Sequence, residues 1–210
     1  AMMRIALACL ACLGAGLLVG CASAPLHYYT LLAPDPTGMD AAPAAVAPAL
    51  PFAVLPVSVP AQVDQPQLVV RDGAQRVLLL NGERWIAPLA DELRSALAAD
   101  LAGELGSQNT TGLPDSGAPG LRIKLEVQQF DSWPGSYALL AGTWSVRVVH
   151  GTEPDAASQA LTCASSVRVP VGAGYTALVQ GHQRAVAMLA AKVATVARAL
   201  GAGQAASCPA

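Results

Sequence analysis

The sequence predicts an α/β fold: a mixed β-sheet packed with two long helices in a single layered domain. Three observations carry that expectation. Strand-like and helix-like runs alternate along residues 27–201, which favours layered α/β architecture over a bundle or a sandwich. Leu89, Leu93, Leu97, Leu101 and Leu105 recur at every fourth position, the spacing of one helix face. Leu178, His182, Ala185, Leu189, Val193, Val196 and Leu200 advance in steps of three and four, a second apolar helical stripe.

The elements follow in chain order. Met2, Met3 and Arg4 give a short positive start, and Ile5 to Val19 carry no charge. That is the n-region and h-region of a secretory signal, too short and wrongly flanked for a permanent span. The alternative is an uncleaved N-terminal anchor. Leu18-Val19-Gly20-Cys21 resembles the bacterial lipobox, in which the chain is cut just before the cysteine and its sulfur carries diacylglycerol. The expected division is a signal peptide over 1–20 and a lipidated N-terminus with a short tether over 21–26. Six residues reach roughly 20 Å when fully extended. Ala22 stands where aspartate signals inner-membrane retention, so sorting to the outer membrane is expected. Cys9 and Cys12 form a C-x-x-C inside the h-region, where a redox or metal role fails, and they leave with the signal.

His27 to Leu32 is aromatic and β-branched enough for a strand. Residues 33–51 hold five prolines among alanines and read as a loop. Phe52 to Val59 reads as a strand closed by Pro60. Leu68–Arg71 and Arg76–Leu80 bracket a turn signal and predict a hairpin. Pro88 suits the first turn of a helix, where its missing N–H would be unpaired anyway. The leucine face that follows is expected to bury Ile86 and Ala90 as well, with Asp91, Glu92, Arg94, Asp100 and Glu104 wet and Gly106 as the stop. Strands are expected over 121–130, with Leu121, Ile123, Leu125 and Val127 on one face, then over 137–149 and 161–171. The last helix is expected over 176–200, ended by Gly201, with a tail over 202–210.

Composition excludes whole classes of function. Charged residues make up 12% of the 210, and the net charge is −2, so the basic stripe that binds nucleic acid is missing. The hydrophobic fraction of 53% is inflated by alanine, and past residue 20 no apolar run approaches the ~20 residues of a spanning helix. No cofactor is expected. Gly172 to Ala177 loosely matches a dinucleotide turn, but the acid about twenty residues on is missing. His27, His150 and His182 are too scattered for a zinc site, and His182 on an apolar face reads as a satisfied core histidine. No G-x-S-x-G elbow occurs, so a hydrolase lacks its parts. Asn109-Thr110-Thr111 is a glycosylation sequon without meaning in a bacterial lipoprotein. Once Cys21 is acylated, Cys163 and Cys208 remain. An oxidising periplasm invites a disulfide between them, against the alternative of two unpaired thiols.

An ordered set of motifs then becomes specific: "YYTL", "VSVPAQVDQPQLVVR" over 57–71, "ERWIAPLADELRSAL" over 83–97, "LEVQQFD" over 125–131, "LLAGTWSV" over 139–146, and a helix led by Tyr175. Together they resemble the ABC-type transport auxiliary lipoprotein family, the PqiC-like outer-membrane lipoproteins, across 27–201. The 33–51 loop is longer than that family's norm, which leaves the entry of the first strand into the sheet open. The resemblance implies a periplasmic domain without catalysis. Its expected place is the outer membrane, as the lipoprotein of a lipid-transport system built around MCE-domain proteins, and a ring-like homo-oligomer is compatible with it. Arg71, Arg84 and Trp85 lie in the most family-like stretches and are candidates for partner contact. Trp85 has a second reading as packing of the helix start, and Arg71 as an ion-pair partner within the fold. Asp64-Gln65-Pro66 reads as a turn rather than a contact. The rival function is a periplasmic lipoprotein that holds a lipid or other small apolar ligand in its own pocket.

Overall fold

The computed structural model describes residues 25–34, 50–114, 117–149 and 159–210. The segment read as a signal peptide, Cys21, His150 and most of the Ala/Pro-rich loop lie outside them. The described chain runs β1 (His27–Tyr29), β2 (Phe52–Val54), β3 (Gln67–Arg71), β4 (Val77–Trp85), α1 (Leu89–Leu105), β5 (Gly120–Trp133), β6 (Tyr137–Val149), β7 (Ala160–Pro170) and α2 (Tyr175–Gly201). The α/β class and the mixed pairing hold, and the strands sort into two sheets. The smaller has the order β1-β4-β3 and the larger β2-β5-β6-β7. Each has one parallel pair, β1 with β4 and β2 with β5, while the other neighbours are antiparallel.

Local chemistry explains where the elements depart from expectation. β4 continues past Leu80 to Trp85 because its last residues gain a parallel partner, with His27 opposite Glu83 and Tyr29 opposite Trp85. β2 stops at Val54 because Pro56, two residues on, has no N–H to give the ladder. Its chain still follows β5, with Leu55 N–H donating to the Ile123 carbonyl (2.8 Å) and Val127 N–H to the Ser58 carbonyl (2.9 Å). In β5 the inward set Leu121, Ile123, Leu125 and Val127 changes phase, and the next buried residue is Phe130. The register shift between Val127 and Gln129 is the cause, since one extra residue swaps the faces. Gly142 lies opposite, and a Cβ there would run into the Glu126 carbonyl oxygen, so only glycine closes the ladder at that point.

α1 buries its leucine ladder together with Ala96 and Ala98, and Gly106 ends it in the left-handed region at φ 58°, a conformation that suits glycine. Two residues differ from the expected stripe. Ile86 precedes the helix and is 60% exposed. Glu92, expected on the wet side, is buried, and its carboxylate accepts from Thr30 Oγ1 (2.8 Å) and from Leu31 N–H (2.7 Å). Those donors satisfy the charge that burial strips of water. α2 packs against α1 and against β6 and β7, and the buried residues of both sheets and both helices form one continuous core. Past α2 the tail lies back on the larger sheet, where Cys208 is disulfide-bonded to Cys163 of β7, with Cα atoms 5.5 Å apart.

Candidate functional site

The family-like stretches converge where the two sheets meet. Trp85 at the end of β4 is 5% exposed and sits edge-on to Phe130, with centroids 6.1 Å apart. Phe130 in turn stacks on His182 of α2 at 4.0 Å and 13°. His182 Nε2 lies 2.8 Å from Ser132 Oγ, and its Nδ1 has no partner. Trp85 therefore joins both sheets to α2 as a core residue, the packing role that its second reading assigned to it.

The Ser132–His182 pair has the elements of a nucleophile and base without the setting. Both residues are buried, and burial pushes the His182 pKa down to about 3, against a small upward pull from Asp131. The unfolded imidazole titrates near 6.5, so the unfolded chain takes up the proton first as pH falls. This group's contribution to stability is present above that value and is lost as pH drops toward 3. Between pH 7 and pH 5 the loss amounts to about 2 kcal/mol. Asp100 works in the opposite sense. Burial, then the charge of Glu104, raises its pKa to about 6, so the folded chain gains the proton first. Urea unfolding of the parent chain and His182→Gln at both pH values separates the two. The variant is expected to lose about 2 kcal/mol less across that interval, and parallel losses would contradict the assignment.

Arg71 ends β3 and is held within the fold. Its Nε contacts both Asp131 oxygens, at 2.7 and 2.6 Å, and its Nη1 donates to the Ala74 carbonyl at 3.0 Å. Tyr137 Oη donates to the same carboxylate at 2.9 Å, and the Arg168 guanidinium lies 3.7 Å over the Tyr137 ring. The hydrogen bond to Asp131, then its charge, raises the Arg71 pKa, whereas burial first and that carboxylate second raise Tyr137's. This clamp ties the β3–β4 hairpin to β5, β6 and β7. Arg84 is half-buried and donates from Nε to the Asn81 carbonyl at 3.3 Å. Glu83 beside it holds β1, accepting from Tyr29 Oη (2.7 Å) and meeting His27 Nδ1 (3.0 Å). Burial pushes the Glu83 carboxyl up, but those two hydrogen bonds and the His27 charge outweigh it and leave the pKa lowered. The Tyr29 hydroxyl is raised to about 12 by burial and then by Glu83.

Sequence reasoning placed Arg71, Arg84 and Trp85 together but missed Asp131, Tyr137 and Glu83, their partners from distant strands. "LEVQQFD" does end on Asp131, which is the one signal that pointed to it. Among the described residues no group of three or more His, Cys, Asp or Glu side chains is placed to hold a metal. One cavity, about 650 Å³, is a surface groove at the larger sheet's parallel edge, with Val54, Leu55 and Leu113 beside Arg94 and Arg122. Two smaller grooves, about 350 and 490 Å³, flank the Arg71 clamp. Their rims mix charge with aliphatic surface, unlike the largely apolar lining of a lipid pocket.

The sequence profile of the ABC-type transport auxiliary lipoprotein component matches residues 29–194. No curated protein matches the chain. Among solved structures, the crystal structure of an uncharacterised protein aligns with a TM-score of 0.63 at 17% identity, covering 81% of this chain and 97% of its own. A protein from Xanthomonas campestris aligns with a TM-score of 0.55 at 14% identity, covering 85% and 96% respectively. At that identity the likeness is one of fold alone.

Proposed function

The chain belongs to the ABC-type transport auxiliary lipoprotein family, and from that premise we propose that it works without catalysis, as a lipid-anchored docking component of an MCE-type lipid transporter at the outer membrane. In this reading residues 1–20 are removed and the Cys21 sulfur carries diacylglycerol. Residues 21–26 then tether a rigid body, with its disulfide-pinned tail, to the periplasmic face of the membrane. The observation that carries the reading is the family match over 29–194, joined to the lipobox-like Leu18-Val19-Gly20-Cys21 just upstream.

The physics suits a docking role. Each buried acyl methylene contributes ~0.8 kcal/mol, and a second chain turns marginal attachment into stable anchoring. A short tether keeps the body close to the bilayer, so a periplasm-spanning MCE-domain protein meets it at a fixed height. Among the described residues no helix is long and apolar enough to cross a membrane. The test is the mass of the mature N-terminus together with membrane fractionation. The expected result is a chain that begins at an acylated Cys21 and sediments with membranes, whereas Cys21→Ser moves to the soluble fraction. A bare residue 21 in membrane-bound protein would overturn the reading.

A further inference from the structure

The β3–β4 hairpin exposes an apolar run that nothing in the described chain covers. Val77 is 57% exposed, Leu78 41% and Leu79 49%. In the antiparallel register Leu78 faces Val70 and Leu79 faces Val69. Successive strand residues point to opposite faces, so β4 shows aliphatic surface on both of its faces, while Val70 of β3 is buried. A half-buried strand alternates, and a strand apolar on both sides is expected to be enclosed on both. Consecutive exposed aliphatic residues on an open edge are also what soluble proteins avoid. That edge of β4 is open because β1 pairs only with Glu83, Arg84 and Trp85. Tyr28 of β1, at 55% exposure, and Leu26 just before it, at 47%, lie beside it.

The register also sets the direction in which the chain enters β1. β1 and β4 are parallel, so the chain upstream of His27 leaves the sheet toward the same end as the hairpin turn. Pro25 is already level with β4, its carbonyl oxygen 3.6 Å from where a Cβ on Gly82 would stand. Pro25 lies four positions after Cys21, a reach of at most ~14 Å. Leu79 to Val77 lie three to five residues back from Gly82 along β4, about 10–17 Å. In the anchored reading an acyl group on Cys21 is within reach of the exposed aliphatic run.

We propose that the open β4 edge, with Val77, Leu78 and Leu79 flanked by Leu26 and Tyr28, lies along the phospholipid bilayer that holds the acylated Cys21, as a second membrane contact that orients the domain. The proposal rests on the anchored reading above. Hydrocarbon covers both faces of a strand at once, which a single protein partner on one face does not. The contact is shallow and edge-on. Asp72 and Arg76 at the turn form an ion pair with each other and remain largely exposed, and charged groups of this kind stay at the headgroup level while apolar neighbours reach the acyl boundary. Arg71 is tied back to Asp131, which fixes the hairpin's angle to the body.

The test uses the full, processed and acylated chain in vesicles of phosphatidylethanolamine with phosphatidylglycerol. Because Cys163 and Cys208 are bonded to each other and Cys21 is acylated in this reading, a nitroxide label goes to one introduced thiol. Val77→Cys and Leu79→Cys are compared with Met188→Cys, an exposed position on α2. With the protein floating on the vesicles, labels at 77 and 79 are expected to show an oxygen-to-nickel accessibility ratio several-fold above that at 188. Equal ratios in floated protein would overturn the membrane contact and leave the anchor standing. Spin–spin broadening between labels at 79 would overturn it in favour of pairing with a second copy. Failure of the acylated protein to float would overturn both readings together.

Discussion

Replacing Trp85 with alanine is expected to lower the stability of the folded chain by about 4 kcal/mol, the cost of a large aromatic removed from a filled core. Trp85 is 5% exposed, packs edge-on against Phe130, and its backbone N–H donates to the Pro66 carbonyl at 2.9 Å. The cavity would open between the two sheets, where β4 turns into α1 and where the neighbours are themselves fixed by the ladder and the helix start. Trp85→Phe keeps most of the apolar contact and is expected to cost less than half as much. Urea unfolding monitored by circular dichroism reads both. If Trp85 were a surface anchor for a partner, alanine would change stability by no more than about 0.5 kcal/mol and would abolish binding instead. A loss that small would contradict its place in the core.

The second large effect is expected from the disulfide. The bond closes a loop of sequence separation 45, and in the chain-entropy account removing it destabilises by about 4 kcal/mol. Cys163 is 3% exposed and stands opposite Trp144 in the ladder, so serine would add a buried hydroxyl to the loss. The double variant Cys163→Ala with Cys208→Ala avoids that complication. It is expected to unfold at a markedly lower urea concentration and to release the segment after α2. That segment is rich in glycine and alanine, and Ala206 is its residue packed on the core. Hydrogen exchange of residues 202–210 should rise toward that of an unfolded chain while β7 stays protected. Unchanged exchange in the tail would show that packing alone holds it.

What the sequence makes legible is mostly local periodicity. The leucine ladder of α1 and the three-and-four stripe of α2 fall where the spacing puts them, because helical packing repeats along the chain. The hairpin around "DGAQ" is readable for the same reason: its partners are close in sequence. An even pair of cysteines in an oxidising compartment likewise points to the disulfide. What escapes is whatever depends on a partner from far away. Glu92 reads as a wet-face residue until Thr30 and Leu31, about sixty positions earlier, supply its donors. Arg71 gives no sign of whether it faces a partner or Asp131, again about sixty residues away. The division into two sheets depends on β1 joining β4 and β2 joining β5, parallel contacts that leave no turn signal between the strands. The phase change at Gln128 is hidden because a single bulge reverses a pattern that otherwise alternates.

These findings bear on the docking proposal in one way. Of the residues that sequence likeness made conspicuous, Trp85 packs in the core against Phe130, and Arg71 is half-buried and paired with Asp131. Arg71 and Arg84 both keep part of their surface open. The exposed surface of the same region is instead aliphatic, along β4 and around Ile86.

The central claim is that a lipid-held, chemically inert body seats an MCE-domain protein at the membrane. Crosslinking in intact cells, followed by purification of the acylated chain and mass spectrometry of what is bound to it, tests this most directly. The account predicts a covalent adduct with an MCE-domain protein that disappears when Cys21→Ser frees the chain from the membrane. Recovery of the acylated, membrane-bound chain with no MCE-domain protein attached would contradict it.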